Sequence, residues 1–109
     1  MQHLEEKELI TKINSENKVY VQFSASWCGP CKSLTSYIEE NLDNYPGINF
    51  YKVDVEKCNP ETLQAFGVSS LPKSMLFSLG KSVTEFLGFN TTKFNEAITL
   101  LKSQEVPSE

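Results

Sequence analysis

The chain has 109 residues, enough for one domain with its own core, and we expect a single domain over residues 1–109. Its net charge is −4 and its ten basic residues are all lysines, so no nucleic-acid partner is expected, since such partners favour basic surfaces and arginine forks. The sequence has no apolar run of membrane-spanning length, no secretory signal and an odd number of cysteines. We therefore expect a cytoplasmic monomer with no membrane partner.

The first two elements follow from the spacing of apolar residues. Leu9, Ile10 and Ile13 recur at helical intervals and predict an amphipathic helix over roughly residues 6–15. Residues 19–23 are β-branched or aromatic, apart from Gln22, and predict a strand. Because its apolar side chains fall on both faces, the strand is expected to be a central one, covered by helices on both sides.

A second central strand is expected at residues 48–55. Before it, Leu34, Ile38 and Leu42 lie at helical spacing and predict a helix that continues to about Asn44. A helix between two buried strands predicts a right-handed crossover with parallel pairing. The fold class is therefore α/β.

The remaining sequence predicts a short helix, a hairpin and a final helix. Asn59 and Pro60 are typical of the cap and first turn of a helix, which is expected to run through Phe66. Residues 74–79 and 82–89 flank a turn at Gly80 and Lys81, which predicts an antiparallel hairpin. A helix is expected over about residues 94–101, and residues 106–109 are expected to fray.

The residues that carry chemistry are Cys28 and Cys31, which lie where the first central strand gives way to a helix. Unpaired N–H groups and the positive end of the helix dipole stabilise a thiolate there, and the thiolate is the reactive form. Between the two cysteines, Gly29 is expected to give the turn room and Pro30 to fix φ in the first helical turn, where its missing N–H is not needed.

Other uses of this cysteine pair fit the sequence less well. A closed zinc site usually needs a second pair or histidines, and the chain has three cysteines and one histidine, so no metal is expected. Haem attachment requires a histidine directly after the second cysteine, where Lys32 stands. A purely structural disulfide remains as an alternative, although so small a ring removes little entropy from the unfolded chain.

The segment at residues 23–32, Phe-Ser-Ala-Ser-Trp-Cys-Gly-Pro-Cys-Lys, resembles the active site of the thioredoxin family. Later landmarks occur in the same order, at residues 53–55, 66–68, 71–72 and 75–77, then at Gly80 and Gly88. The resemblance covers nearly the whole chain. It implies a thioredoxin fold, in which a central mixed β-sheet is flanked by helices on both faces.

The resemblance also implies an activity, namely oxidoreductase chemistry that reduces protein disulfides by dithiol–disulfide exchange. In that reaction Cys28 is the nucleophile and Cys31 is the resolving thiol. No cofactor is expected to be bound. A flavin-dependent thioredoxin reductase is expected as partner, passing electrons from NADPH to the disulfide and so contributing to electron transport and cell redox homeostasis. The other partners would be oxidised protein substrates.

By the same resemblance, the substrate surface comprises Trp27, Leu71, Pro72, Gly88 and Phe89. The peptide bond before Pro72 is expected to be cis, which would expose the backbone of Leu71 to an extended substrate. Where the family usually has threonine, this chain has Lys73, which would either favour acidic substrates or point into solvent.

The most informative departure from the family is Gln22, because the family usually has a buried aspartate there, beneath the second cysteine. An amide cannot titrate, so the departure affects the expected rate of proton transfer. Lys52 matches a lysine near that aspartate, and without an ionised partner it is not expected to be deeply buried. Cys58 is expected to be an inert thiol or a regulatory oxidation site.

Two other functional classes remain open. A disulfide isomerase or oxidase is one, although those proteins favour export and commonly have a histidine between the cysteines. A non-catalytic thioredoxin-like binding module, holding a partner beside Trp27 and Pro72, is the other.

Overall fold

A computed structural model describes residues 1–104, so the predicted tail at 106–109 lies outside the described residues. Within this range strands and helices alternate along most of the chain. The elements are β1 (Gln2–His3), α1 (Glu6–Ser15), β2 (Lys18–Ser24), α2 (Gly29–Asn41), β3 (Asn49–Asp54), α3 (Pro60–Ala65), β4 (Lys73–Ser78), β5 (Lys81–Leu87) and α4 (Thr91–Lys102). Short 3₁₀ turns follow α2 and β3, at Leu42–Asn44 and Val55–Lys57.

The strands form one mixed sheet in the order β1-β3-β2-β4-β5. Strands β1, β3 and β2 are parallel to one another, as predicted for β2 and β3. Strand β4 runs antiparallel to β2, and β5 runs antiparallel to β4. At the centre of the sheet, Gln22 of β2 is paired with Lys52 of β3 on one side and with Ser74 of β4 on the other.

Helices cover both faces of this sheet, which confirms the predicted architecture. On one face α2 and α4 pack on the sheet through a cluster that includes Leu34, Phe94 and Tyr20. On the other face α1 packs through Leu9 and Ile13, and the end of α3 packs through Phe66. Since both faces of β2 are covered, its apolar side chains are buried on both sides, as the sequence predicted.

Several boundaries differ from the predictions. Helix α2 ends at Asn41 and continues only as a 3₁₀ turn to Asn44, because Asn41 has left helical geometry, with φ −116° and ψ 7°. Strand β1 was not predicted, since two residues are too short to show a period. Its pairing with β3 gives the sheet one more parallel edge.

The β4–β5 hairpin closes as predicted, but its two connecting residues are Leu79 and Gly80. Both have positive φ, 52° and 82°, which is typical of tight hairpin loops whose twist matches the strands. A Cβ on Gly80 would also lie 2.9 Å from Oδ1 of Asn14, so glycine suits this position on two grounds.

The start of α3 differs from its predicted capping. Asn59 occupies the cap position, yet its side chain makes no capping hydrogen bond. Its Nδ2 donates instead to Oε1 of Glu6 at 3.1 Å, which links α3 to α1. Over residues 1–104, no helix combines the length and the apolar character that crossing a bilayer requires.

Candidate active site

A disulfide joins Cys28 and Cys31, whose Cα atoms are 5.3 Å apart, at the junction of β2 and α2. Both residues are nearly covered, with exposed fractions of 5% and 2%, so they differ little in accessibility in the oxidised protein. Cys28 is the N-cap of α2, and its Sγ accepts a hydrogen bond from the backbone N–H of Cys31 at 3.2 Å. One sulfur of the pair therefore lies on the donors of a helix N-terminus.

The two residues between the cysteines are exposed and differ in their structural roles. Pro30 lies in the first turn of α2, as expected, where no N–H is required. A Cβ on Gly29 would meet no heavy atom within 4 Å, so the turn does not need glycine for space, contrary to the prediction. The absence of a side chain leaves the approach to the helix N-terminus open.

Trp27 precedes the disulfide and is 69% exposed, so it belongs to the surface and not to the core. Leu71, in the loop before β4, packs against the cluster formed by Ala25, Cys28 and Cys31. The Leu71–Pro72 peptide bond is cis, as the resemblance implied. Through Leu71, the loop before β4 lies directly against the redox pair.

Gly88 and Phe89 extend this surface from the end of β5. Gly88 has φ 77° and donates its N–H to the carbonyl oxygen of Pro72 at 2.9 Å, so its conformation favours glycine and its amide holds the loop. Phe89 is 41% exposed, and its ring centroid lies 5.8 Å from that of Tyr37. Phe89 therefore contacts α2 farther along the helix than the disulfide.

Beneath the disulfide, Gln22 is fully buried and makes a small hydrogen-bond network. Its Nε2 donates to the carbonyl oxygen of Cys31 and to Oγ1 of Thr35, both at 3.1 Å. The Thr35 hydroxyl lies 3.4 Å from Gln22 Oε1, to which it can donate in return. A neutral amide is thus satisfied in a position where a carboxylate would face a carbonyl oxygen.

A cavity of about 320 Å³ lies beside Cys31 on the same side of the sheet. Lys52, the register partner of Gln22, lines it and is half-buried, as expected for a lysine without an ionised residue at position 22. His3 of β1 and Asp54 at the end of β3 also line the cavity. Cys31 therefore borders a cavity with charged and titratable side chains on its walls, which the sequence did not predict.

Residues 1–100 match the family model described as Thioredoxin. The chain belongs to the thioredoxin family. Thioredoxin-1 of Saccharomyces cerevisiae is 37% identical over 91 residues, which cover 84% of this chain and 87% of the relative. The thioredoxin of Ovis aries is 35% identical over 86 residues, covering 79% of this chain and 81% of the relative.

Solved structures show the same relation. A Plasmodium falciparum thioredoxin matches with a TM-score of 0.82 at 30% identity, over 91% of this chain and 97% of that one. Fasciola hepatica thioredoxin matches with a TM-score of 0.78 at 32% identity, over 93% and 99%. With the Cys28–Cys31 disulfide in the active-site segment, this thioredoxin-family protein is a thiol–disulfide oxidoreductase of the protein-disulfide reductase class.

Lys73 contradicts both predictions made for it, because it neither points into solvent nor faces the substrate surface. It is buried, and its Nζ donates to the carbonyl oxygens of Phe66 and Gly67 at 3.2 and 2.8 Å. It also forms an ion pair with Glu85 at 3.3 Å. The end of α3 presents carbonyls that lack helical partners, and a lysine on the neighbouring strand satisfies two of them.

Cys58 is a free, half-buried thiol on the α1 side of the molecule. Burial chiefly, and then the negative charges of Glu6 and Asp54, raise its pKa above the ordinary value. Its Sγ lies 3.5 Å from the carbonyl oxygen of Asp54, to which it can donate. These surroundings favour the thiol form, which is the less reactive one.

Residues 1–104 hold no group of three histidine, cysteine, aspartate or glutamate side chains arranged to bind a metal ion.

Three residues near the site were not predicted from the sequence, namely Thr35, His3 and Asp54. A signal existed for Thr35, since it lies four residues after Cys31 and therefore on the same helix face. His3 could not be placed without β1.

Proposed function

We propose that the protein acts as a single-domain monomer over residues 1–109, with Cys28 as the nucleophile and Cys31 as the resolving thiol. The observation that carries this assignment is the hydrogen bond from the Cys31 N–H to Cys28 Sγ at the N-terminus of α2. In the reduced protein the same donor and the helix dipole would favour the Cys28 thiolate.

The reaction proceeds by two exchanges. The Cys28 thiolate attacks a substrate disulfide, forms a mixed disulfide and releases one substrate sulfur as a thiolate. Cys31 then loses its proton and attacks Cys28 Sγ, which releases the second substrate sulfur and closes the Cys28–Cys31 disulfide. The protein dithiol loses two electrons and the substrate disulfide gains them. The short separation of the two cysteines supports this intramolecular second step.

The substrate surface is proposed to comprise Trp27, Leu71, Pro72, Gly88 and Phe89. Its support is the exposure of Trp27, the packing of Leu71 against the redox pair and the Gly88–Pro72 hydrogen bond. An extended substrate backbone would pair with Leu71 while an apolar side chain packs on Trp27. The open space at Gly29 would admit the substrate sulfur.

The electron donor is proposed to be a thioredoxin reductase that uses flavin and NADPH, in the cytoplasm. The thioredoxin relatives support this partner, and the sequence itself has no glycine-rich nucleotide fingerprint. Oxidised proteins would be the physiological substrates, and the role would lie in electron transport and cell redox homeostasis.

Insulin reduction with dithiothreitol tests the assignment, with Cys28→Ser as the control. The parent should precipitate reduced insulin and the variant should not. An NADPH-coupled assay with purified thioredoxin reductase tests the electron donor, and failure to oxidise NADPH would exclude it. A redox titration separates a reductant from an oxidant, because a strongly oxidising potential would contradict the proposed direction.

A further inference from the structure

The chemistry proposed for Cys31 needs a proton acceptor that position 22 does not provide. Within the mixed disulfide Cys31 must lose its thiol proton before it attacks. Gln22 lies against this residue, but it donates to the Cys31 carbonyl through its amide nitrogen and has no basic oxygen at neutral pH. The proton must therefore leave in another direction.

The 320 Å³ cavity beside Cys31 offers that direction. Liquid water occupies about 30 Å³ per molecule, so the cavity has room for several waters, and Ser24, Ser26 and Asp54 offer them polar partners on its walls. Asp54 lines it at the end of β3, next to Ser24, its register partner on β2. Among the described residues that line the cavity, Asp54 alone carries a carboxylate.

We propose that the Asp54 carboxylate accepts the proton of Cys31 across this cavity, through bridging water, and so takes over the task that an amide at position 22 cannot perform. This inference rests on the proposed role of Cys31 as the resolving thiol. One carboxylate oxygen, Oδ1, accepts the N–H of Glu56 at 2.9 Å, which fixes the group at the cavity wall. The carboxylate retains acceptor capacity beyond that one bond.

Charged groups from three elements face the same space as Asp54. His3 belongs to β1, Lys52 to β3 and Lys32 to α2. Lys32 and Lys52 therefore place two positive charges on the same walls as the Asp54 carboxylate. His3 carries the one imidazole among the described residues that line the cavity, so it is the competing acceptor that a test must separate.

Resolution then combines one proton transfer with one thiol–disulfide exchange. The Cys31 S–H bond breaks, its proton passes through water to the Asp54 carboxylate, and the resulting thiolate attacks Cys28 Sγ. The Cys28–substrate S–S bond breaks and the electron pair leaves with the substrate sulfur. The protonated carboxyl group then returns its proton to solvent.

A symmetrical aromatic disulfide whose thiol product is coloured resolves the two exchanges in one stopped-flow trace. Reduced protein releases one equivalent of coloured thiol when Cys28 attacks and a second when Cys31 resolves. The decisive variant is Asp54→Asn, because an amide oxygen can still accept the Glu56 N–H but cannot take the proton. Glu56→Gln is the matched control, since it removes the same charge from the adjoining 3₁₀ turn, where Glu56 bonds Ser26 instead of lining the cavity.

For Asp54→Asn the second phase should slow about 100-fold near pH 7, the lower end of typical general-base contributions, with the first phase unchanged. The difference should shrink as pH rises, since hydroxide then removes the proton. Asp54→Glu should restore part of the rate, and Glu56→Gln should match the parent. In a Gln22→Asp background the Asp54→Asn effect should shrink, because a second carboxylate lies beneath Cys31.

Equal second phases in Asp54→Asn and Glu56→Gln at every pH would overturn the inference. So would a slow second phase confined to His3→Gln, which would assign the proton to the imidazole. A parent trace with no first phase at all would instead refute Cys28 as nucleophile and with it the proposed function. Denaturant melts of each variant exclude a loss of fold as the cause of a slow second phase.

Discussion

Gln22 donates a hydrogen bond from its side-chain Nε2 to the backbone oxygen of Cys31 at 3.1 Å. The bond ties the centre of the sheet to the helical turn that carries the second cysteine. Because the side chain is fully buried, each of its polar atoms depends on protein partners, which are Cys31 and Thr35.

Replacing Gln22 with aspartate should raise the rate of mixed-disulfide resolution near pH 7 while lowering the free energy of unfolding. The new carboxylate can accept the Cys31 proton, but it cannot donate to the Cys31 carbonyl, and its charge is poorly solvated there. A loss of about 1–3 kcal/mol is expected for the broken buried bond.

Stopped-flow kinetics and denaturant melts between about pH 6 and 9 measure both effects, a range that spans ordinary thiol ionisation. Gln22→Asn is the control, because its side chain is as long as that of aspartate but cannot ionise. It should lower the free energy of unfolding without raising the rate of resolution. Resolution by Gln22→Asp no faster than the parent at every pH would contradict the prediction.

The two cysteines should differ in trapping substrates. Cys31→Ser leaves the nucleophile in place without a resolving thiol, so covalent complexes with oxidised proteins should accumulate, whereas Cys28→Ser should trap few. Non-reducing denaturing electrophoresis reads out the complexes, and added dithiothreitol should dissolve them. Comparable trapping by both variants would show that either thiol can attack first.

Trp27→Ala should weaken the recognition of protein substrates without weakening the fold, because the side chain is 69% exposed. We expect kcat/KM for a protein disulfide to fall about tenfold, a modest loss for an exposed aromatic contact. The rate with a small aromatic disulfide should change little. Leu87→Ala removes a comparably exposed apolar residue from β5, 51% exposed, and should leave both rates intact; a matching loss in that variant would argue against a specific role for Trp27.

Lys73→Met should reduce stability, since the apolar side chain fills the same space but leaves the carbonyls of Phe66 and Gly67 without their donor. An unmade bond to a buried acceptor costs about 1–3 kcal/mol. Phe66 is half-buried and Gly67 is exposed, so water satisfies part of this and a loss near the lower end, about 1 kcal/mol, is expected. Denaturant midpoints measure the loss. The control is Lys81→Met on the neighbouring strand, which is exposed and should unfold like the parent.

Alkylation of Cys58 in the oxidised protein should follow a pH profile displaced upward from that of the unfolded chain. Burial and the nearby carboxylates of Glu6 and Asp54 raise its pKa, so at a given pH less thiolate is present in the folded protein than in the unfolded chain. By the same linkage, its contribution to stability is full below the unfolded pKa and is lost as pH rises through the folded one.

Iodoacetamide rates between about pH 7 and 10, with urea-unfolded protein as reference, give the two midpoints around the ordinary thiol value. The midpoint distinguishes ionisation from simple shielding, which would slow the reaction at all pH values alike. Coincident midpoints would remove the electrostatic reason for regarding Cys58 as inert and favour a regulatory role.

Sequence patterns predicted what depends on local order. The passage from strand β2 into α2 and the hairpin around Gly80 were predicted from the sequence, because periodicity and turn residues determine them. The hydrogen bonds of Lys73 could not be predicted from the sequence, because they depend on where α3 ends relative to β4. The cavity joining His3 to Cys31 depends on β1, which is too short to leave a pattern.

The redox pair sits in a small apolar cluster of its own with Ala25, distinct from the two larger clusters on either face of the sheet. Val55 and Leu71 pack against both this small cluster and the α1 side. Val55 and Leu71 therefore connect the redox pair to the α1 side of the sheet and not to the cluster beneath α4. A change in the oxidation state would therefore alter side-chain packing on the α1 side of the sheet. A partner that contacts Val55 and Leu71 would distinguish the reduced from the oxidised protein by the positions of these two side chains.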